Sequence, residues 1–394
     1  MNGALSPGTR RNLRLLSAFS FCNDFRLYAP VMVVYFADVT GSLALATLLF
    51  AIAKIAWSAL EVPTGMFSDF IGRRLTLVLG QAASVLSIAL YAFGRDFAVL
   101  ALGAAVEGLA FSLFSGNNAA YLYDTLKSEG GEGEFAEWQG RVSAMFQLAL
   151  AISALAAMAA LPFLPLRAMF ALTLAPAVAG LGFALLLAEP ARHSDTIPTN
   201  VFTHLREALG AFARDARLRR LSFAAMLGFA LGEAKHMFHP AFFALFWPAW
   251  ALGLAGALVH GFGALGFRLG GAINRRFGEL RVLLVASYSS LAGGIAATAL
   301  PTIASPAIVS LASLAFGPAM VAQGSLMQRS FTDAQRATMA SLISLGGNIL
   351  FAVAVFAIGW LADRIGARFA LLAAEIATIP VTVLYWRLFA AQPR

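Results

Sequence analysis

The chain reads as long apolar runs broken at short intervals by clusters of charge, glycine and proline. Runs long enough to cross a hydrocarbon core of ~30 Å, about 20 residues each, fall at 13–37, 43–67, 75–93, 97–126, 139–161 and 166–188. A second set of six follows at 220–246, 249–272, 281–300, 305–329, 337–360 and 368–389. Between the sets lies the longest polar segment, 189–219, with Pro190, Pro198 and a cluster of arginines. The pattern predicts an all-α membrane protein of twelve transmembrane helices in two six-helix halves, 1–188 and 220–394, joined by a linker. From Thr199 to Arg220, Val201, Leu205, Leu209 and Phe212 recur at helical spacing while Arg206, Arg214, Arg217, Arg219 and Arg220 take other faces. That spacing predicts an amphipathic helix on the membrane surface.

The halves repeat, as internally duplicated membrane folds do. A shift of 210 residues lays Asn23, Arg26, Tyr28, Pro30 and Phe36 on Glu233, His236, Phe238, Pro240 and Phe246. A shift of 206 lays Lys54, Gly65, Phe70 and Gly72 on His260, Gly271, Arg276 and Gly278, with Asp69 replaced by Arg275. The two halves are therefore expected to be pseudo-symmetric.

Composition narrows the class. Hydrophobic residues make up 60% of the chain and charged residues 12%, against about 25% charged in soluble domains. A net charge of +8 would suggest nucleic acid as partner of a soluble chain, but here the basic residues collect in the loops of one side. Arg95, Arg167, Arg364 and Arg368 fall in the opposite loops, Arg26, Lys54, Lys235 and Arg268 within spans, and the other twenty on the side of the N-terminus. The positive-inside rule then places both termini in the cytoplasm, with no nucleic-acid role. The start, Arg10-Arg11 followed by apolar Leu13–Cys22, could pass for a signal peptide. No small-residue cleavage site follows and the apolar run resumes through Phe36, so it is read as the first span. The single Cys22 excludes an internal disulfide framework and a Cys-based zinc site. No Gly-x-x-x-x-Gly-Lys-Ser/Thr loop is present, so ATP is not the expected energy source, and no soluble region is large enough for an enzyme. No cofactor is expected.

Ionisable residues in mid-span are costly, so each is a functional candidate. Span 1 carries Asn23, Asp24 and Arg26, with Tyr28 following; span 2 carries Lys54, span 4 Glu107, and span 7 Glu233, Lys235, His236 and His239. A carboxylate moved into low dielectric holds its proton more readily and can bind and release it during a cycle. Asp24 is the first candidate proton carrier, with Glu233 and Glu107 behind it. Asp24 and Arg26, two apart, should lie on nearly opposite helix faces and serve different partners; a permanent ion pair with Lys54 or Arg26 is the structural alternative for Asp24. For Glu233 the alternative is a pair with Lys235. Glu107, Phe111 and Asn118 share a stripe of span 4, with Asn117 and Tyr121 close by, and could line a site for a polar ligand. Glu233, His236 and His239 step along one face of span 7, and His260 can approach from span 8. Such a set could ligate zinc or iron, but imidazoles at mid-span more often relay protons or bond substrate, and no metal site is assigned.

Between the second and third runs stands Gly65-x-x-x-Asp69-Phe70-x-Gly72-Arg73-Arg74. Gly65 would let another helix approach closely, Gly72 permits a sharp turn, and the Asp69 carboxylate can face the positive end of a neighbouring helix. This spacing resembles the loop signature between spans 2 and 3 of the major facilitator superfamily of secondary transporters, with Phe70 where a basic residue is usual. Tyr121-Leu-Tyr-Asp124-Thr-Leu with Gly140-Arg141 after span 4, and Gln335-Arg336-Ala-Thr before span 11, are similar to bacterial members of drug-exporter type. Together with the twelve spans, the resemblance covers nearly the whole chain.

The resemblance implies alternating access in a monomer of the bacterial inner membrane, exporting a small organic molecule against inward proton flow. It puts spans 1, 4, 7 and 10 around a central cavity and spans 3, 6, 9 and 12 against lipid; the mid-span charges mostly follow, but Glu375 in span 12 is unaccounted for. It also implies that Asp69 faces the start of span 11 and that Arg73 pairs with Asp124, latching the cytoplasmic side. A carrier of an organic anion, favoured by Arg26, Lys54 and Lys235, is the alternative; a metal transporter or a non-transporting membrane sensor ranks lower.

Overall fold

The computed structural model describes residues 5–190, 216–330 and 333–391. Among them all regular structure is helical, and its breaks fall where the apolar runs break. Two compact units form, one from Met1–Thr40 and Ile52–Asp195, the other from Gly41–Ala51 and Thr196–Arg394.

In the first unit the opening span is interrupted: α1 (Pro7–Asp24) gives way to a 3-10 turn at Ala29–Val31 and then α2 (Met32–Thr40). Next come α3 (Leu43–Ile71), which begins in the second unit and ends in the first, α4 (Arg73–Phe93), α5 (Phe97–Phe114), α6 (Asn117–Lys127), α7 (Phe135–Ala160) and α8 (Leu166–Leu186). Leu13, Leu16 and Phe19 recur at helical spacing on α1 and are buried with Leu77, Phe114 and Leu122. Thus α1 packs on α7 and α8, while α4 packs on α5 and α8. Ser6 caps α1 by accepting from Thr9 N, with Pro7 in the first turn. The Glu129 carboxylate, in the connection after α6, reinforces that end by accepting from Ser6 N at 2.8 Å, from Thr9 Oγ1 at 2.7 Å and from the Ser6 hydroxyl.

The second unit contains α9 (Ala216–Phe243), α10 (Ala249–Phe277), α11 (Glu279–Ala299), α12 (Ser305–Ser330), α13 (Asp333–Ile365), α14 (Ala367–Ile376) and α15 (Ile379–Ala390). There α9 packs on α13, α10 on α12, and α11 on α12, α14 and α15. Among the described residues ten helical spans are apolar and long enough to cross a membrane. The two that fall short are the broken first span, with Asp24 and Arg26, and α9, with Glu233, Lys235, His236 and His239. The expected amphipathic helix of the linker lies outside the described residues.

Glu375 finds its explanation in this unit. Instead of facing lipid it points inward, where Lys235 Nζ lies 2.6 Å from Glu375 Oε2, the two side chains only 8% and 4% exposed. Gly294 of α11 makes the room, since a methyl group there would collide with the Glu375 carboxylate. Lys235 is therefore committed to Glu375 and is neither the expected cavity residue nor the partner of Glu233. Its register on α9 aims it toward α14, away from the histidines.

Breaking one side of a buried pair leaves an uncompensated charge. Glu375→Gln is expected to cost about 3–5 kcal/mol, whereas Lys235→Met with Glu375→Leu should be nearly neutral; thermal unfolding of the purified variants checks this. Hydrogen bonds from Ser6 and Thr9 hold the Glu129 carboxyl below its usual value. The contribution is therefore present above the ordinary carboxylate range and lost as pH falls through the lowered value. Glu129→Gln should speed amide exchange at residues 6–10 at neutral pH, and the difference from the unmodified chain should vanish on acidification.

Candidate functional site: a charged cluster and two loop motifs

The first unit gathers its mid-span charge where the opening helix unwinds. α1 ends at Asp24, and Phe25 leaves helical geometry at φ −78° and ψ 84°. Pro30 supplies no N–H and disfavours helix before it, so the chain resumes only through the 3-10 turn. The unwound segment turns Arg26 back: its Nη2 lies 3.2 Å from Asp24 Oδ1, and its Nε donates to Asn23 O at 3.2 Å. Asn23 Nδ2 also donates to Asp24 Oδ1, at 3.1 Å. The expectation that Asp24 and Arg26 serve different partners fails because it assumed a continuous helix.

Arg26 also stands over the Phe111 ring at 5.1 Å, Phe111 packs on Trp57 at 5.5 Å, and Lys54 Nζ lies 4.1 Å from the Trp57 ring. Two cations thus flank an aromatic pair, a contact of about 0.5–2 kcal/mol each. Arg26, Tyr28, Glu107 and Phe111 border one small cavity of about 10 Å³, room for roughly one water. Tyr91 Oη donates to Glu107 Oε2 at 2.8 Å, and Tyr35 Oη donates to Tyr91 O at 2.7 Å. Tyr28 stacks on Phe170 at 4.5 Å, closing the back of the cluster. Asn23 Oδ1 and Trp57 Nε1 are buried and, among the described residues, lack a hydrogen-bond partner. Buried polar atoms are nearly always satisfied, so these two mark where a ligand or water would bond. Tyr91, Trp57 and Phe170 are members that mid-span charge alone does not reveal; their signal is aromatic residues bordering charged positions.

The polar residues expected beside Phe111 lie elsewhere. Gly116, at φ +70°, breaks span 4, so α6 does not continue the stripe of α5. Asn117 Nδ2 donates to Arg73 O at 2.9 Å and Asn117 Oδ1 accepts from Ser68 Oγ at 2.8 Å. Tyr121 Oη donates to Ala188 O at 2.7 Å, and Asn118 Oδ1 is buried without a partner among the described residues. Asn117 and Tyr121 thus bond to the loop motif and to the chain beside it rather than to the cavity. In that motif Arg73 Nε lies 3.5 Å from Asp124 Oδ2 and Arg73 Nη1 donates to Ser68 Oγ at 3.1 Å. Gly72 turns the chain at φ +105°, Arg74 Nη2 donates to Leu185 O, and the backbone N–H groups of Arg73 and Arg74 bind the Glu189 carboxylate. The Asp69 side chain lies outside the described residues. Gly65 meets no neighbour: a methyl group there would touch nothing within 4 Å, because it sits on an exposed face of α3.

In the second unit His236 is 6.3 Å from His239 and 6.4 Å from His260, ring to ring. His239 stacks on Phe243 at 5.5 Å, and its Nε2 is buried without a partner among the described residues. Glu233 is half-buried on the same helix. Among the described residues no three His, Cys, Asp or Glu side chains converge at metal-binding distances.

A second loop motif is invisible to a comparison of the two halves. Shifted by 294 residues, Gly65, Asp69 and Gly72 fall on Gly359, Asp363 and Gly366, with Arg364 in the basic place that Phe70 vacates. Asp363 receives Leu43 N at 2.8 Å, Ala44 N at 3.0 Å and Ser42 Oγ at 2.5 Å, capping the start of α3. Gly359 lets α13 close on that turn, since a methyl group would collide with Thr47 Oγ1 and Leu43 O, and Gly366 turns the chain at φ +83°. The carboxylate-on-helix-end contact expected of Asp69 is thus visible at Asp363. Losing a cap costs roughly 1 kcal/mol, so Asp363→Ala should speed amide exchange at Leu43 and Ala44 about fivefold while leaving α5 unchanged.

Residues 14–355 match the model of the Major Facilitator Superfamily. No curated protein matches the chain in sequence. Among solved structures, the nucleoside transporter NupG superposes with a TM-score of 0.77 at 13% identity, over 98% of this chain and 100% of that one. A bacterial homolog of the human lysosomal transporter Spinster gives 0.76 at 16% identity, over 98% of each chain. A D-xylose-proton symporter gives 0.76 at 13%, over 96% of this chain and 97% of that one. Identities this low speak for the fold alone. The family match, which spans most of the helical core including the charged cluster and the first loop motif, is direct: the chain belongs to the Major Facilitator Superfamily.

Proposed function

We propose that this transporter exports a small organic molecule in exchange for protons, by alternating access, as a monomer of the cell inner membrane with both termini in the cytoplasm. The observation that carries the coupling is the arrangement of two carboxylates around one guanidinium, Asp24 by direct contact and Glu107 across a shared cavity from Arg26. A proton on either acid weakens its hold on Arg26, and the freed guanidinium then prefers a different partner, water or substrate. Substrate occupancy and protonation become mutually exclusive or mutually dependent through one side chain. Glu233 with His236, His239 and His260 offers a second proton-accepting group in the other unit, one suited to relaying protons or bonding substrate oxygens. Export, rather than uptake, rests on the resemblance of the loop stretches to drug exporters.

The loop motifs supply the gates in this reading. Arg73 with Asp124, and Asp69, belong to the arginine-rich face; Asp363 on the start of α3 belongs to the other. In this reading the Asp363 cap is made in one state and the Arg73 contact with Asp124 in the other, and transport alternates between them.

A second reading is favoured by one observation: Arg26 and Lys54 flank the Phe111 and Trp57 rings, an arrangement that suits a planar organic anion. The chain also superposes on a nucleoside transporter and a D-xylose-proton symporter, so neutral, cationic and anionic solutes all belong in the test.

Reconstituted vesicles with an imposed pH gradient should accumulate or lose a labelled member of a panel of nucleosides, sugars, lipophilic cations and organic anions. Asp24→Asn should uncouple that flux from the gradient, and Arg26→Gln should lower it about 100-fold. Gradient-dependent flux that survives both substitutions would contradict the proposed coupling centre, and binding without flux would favour a sensor.

A further inference from the structure

Where α1 and the start of α7 emerge on the arginine-rich face, the first unit holds an open cavity of about 360 Å³ lined by Leu5, Arg10, Arg14, Glu134, Trp138 and Arg141. Nothing in the transport mechanism uses it. Arg10 and Arg14 are four apart on α1 and so share a face, a like-charge spacing that destabilises a helix unless an anion answers it. Among the described residues neither has a carboxylate partner. The nearby acids have partners other than Arg10 and Arg14: Glu129 holds the Ser6 end of α1, Glu137 pairs with Arg141 at 2.5 Å, and Glu134, on the cavity wall, accepts from Trp138 Nε1 at 3.3 Å. Arg141 also lies 4.5 Å from the Trp138 ring, which fixes the planar guanidinium against an indole at the cavity wall.

The position of the cavity selects its occupant. The apolar run of span 1 begins at Leu13, between the two arginines, and that of span 5 just after Trp138. The arginines therefore stand at headgroup depth, where tryptophan also concentrates. Basic pockets between helices at this level suit anionic lipid headgroups, and guanidinium groups bind phosphate oxygens in bidentate fashion. We infer that this cavity is a binding site for the phosphate headgroup of an anionic phospholipid, held by Arg10 and Arg14 with Arg141 and Trp138 as its wall. Bound there, the lipid would tie α1 to α7 beside the segment that Glu129 secures.

The test uses the full chain in neutral detergent, with thermal unfolding and native mass spectrometry read against added phosphatidylglycerol, phosphatidylcholine or glycerol 3-phosphate. Phosphatidylglycerol should bind and stabilise, and the other two should not. At roughly 1 kcal/mol for each arginine near the surface, Arg10→Gln with Arg14→Gln should weaken phosphatidylglycerol binding about 30-fold. A charge-matched control away from the cavity, Arg11→Gln with Arg281→Gln, should leave it unchanged. Should the glutamine pair fail to fold, Arg10→Lys with Arg14→Lys keeps the charge and is expected to lose about fivefold through the missing bidentate geometry. Equal losses in the control and the cavity variants would overturn the site in favour of diffuse surface charge. Stabilisation by glycerol 3-phosphate matching that by the lipid would assign the cavity to soluble phosphate esters, and equal binding of phosphatidylcholine would remove the anion requirement.

Discussion

An ionised side chain has little place in a hydrocarbon slab, and the architecture depends on how each half of this protein meets that cost. The effective penalty is several kcal/mol per ion even after relaxation, so a charge at mid-span must be paired or must face a wet or ligand-filled site. Both solutions are present. Lys235 and Glu375 are enclosed at 2.6 Å with no room beyond Gly294, which makes them a closed pair suited to fixing α9 against α14. Asp24, Arg26 and Glu107 form an open set, bordered by a cavity and by the unpartnered Asn23 Oδ1 and Trp57 Nε1. The open set is therefore the one that can exchange partners.

The same logic operates at the helix ends. Each unwound or terminal turn exposes backbone N–H groups that need an acceptor, and carboxylates supply it repeatedly: Glu129 at α1, Glu189 at α4 and Asp363 at α3. Of these, Asp363 holds the helix that begins in one compact unit and ends in the other. In the proposed cycle that makes it a place where a change of state would be registered, because a cap is worth enough to bias an equilibrium and little enough to be broken.

Much of the fold is legible in the sequence because bilayer thickness dictates run length. The predicted spans 75–93 and 249–272 correspond to α4 (Arg73–Phe93) and α10 (Ala249–Phe277), and the expected turn at Gly72 has its positive φ. The pairing of Lys235 with Glu375 is not legible, since residues 140 apart meet only through the register of two packed helices. Asn117 and Tyr121 reach the cavity only if span 4 is one continuous helix, and Gly116 breaks it, although glycine followed by two asparagines is a break signal. The Asp363 motif is present in the spacing. A comparison of halves aligns loops of one face, and this copy lies in a loop of opposite parity.

The most direct test of the account is infrared difference spectroscopy of the carboxylic-acid carbonyl band in reconstituted protein as pH is stepped. The coupling centre requires a protonation band that disappears in Asp24→Asn or Glu107→Gln and moves in Arg26→Gln, because that guanidinium sets both acids. A band unchanged in all three variants would place proton binding elsewhere in the chain and remove Arg26 from the mechanism.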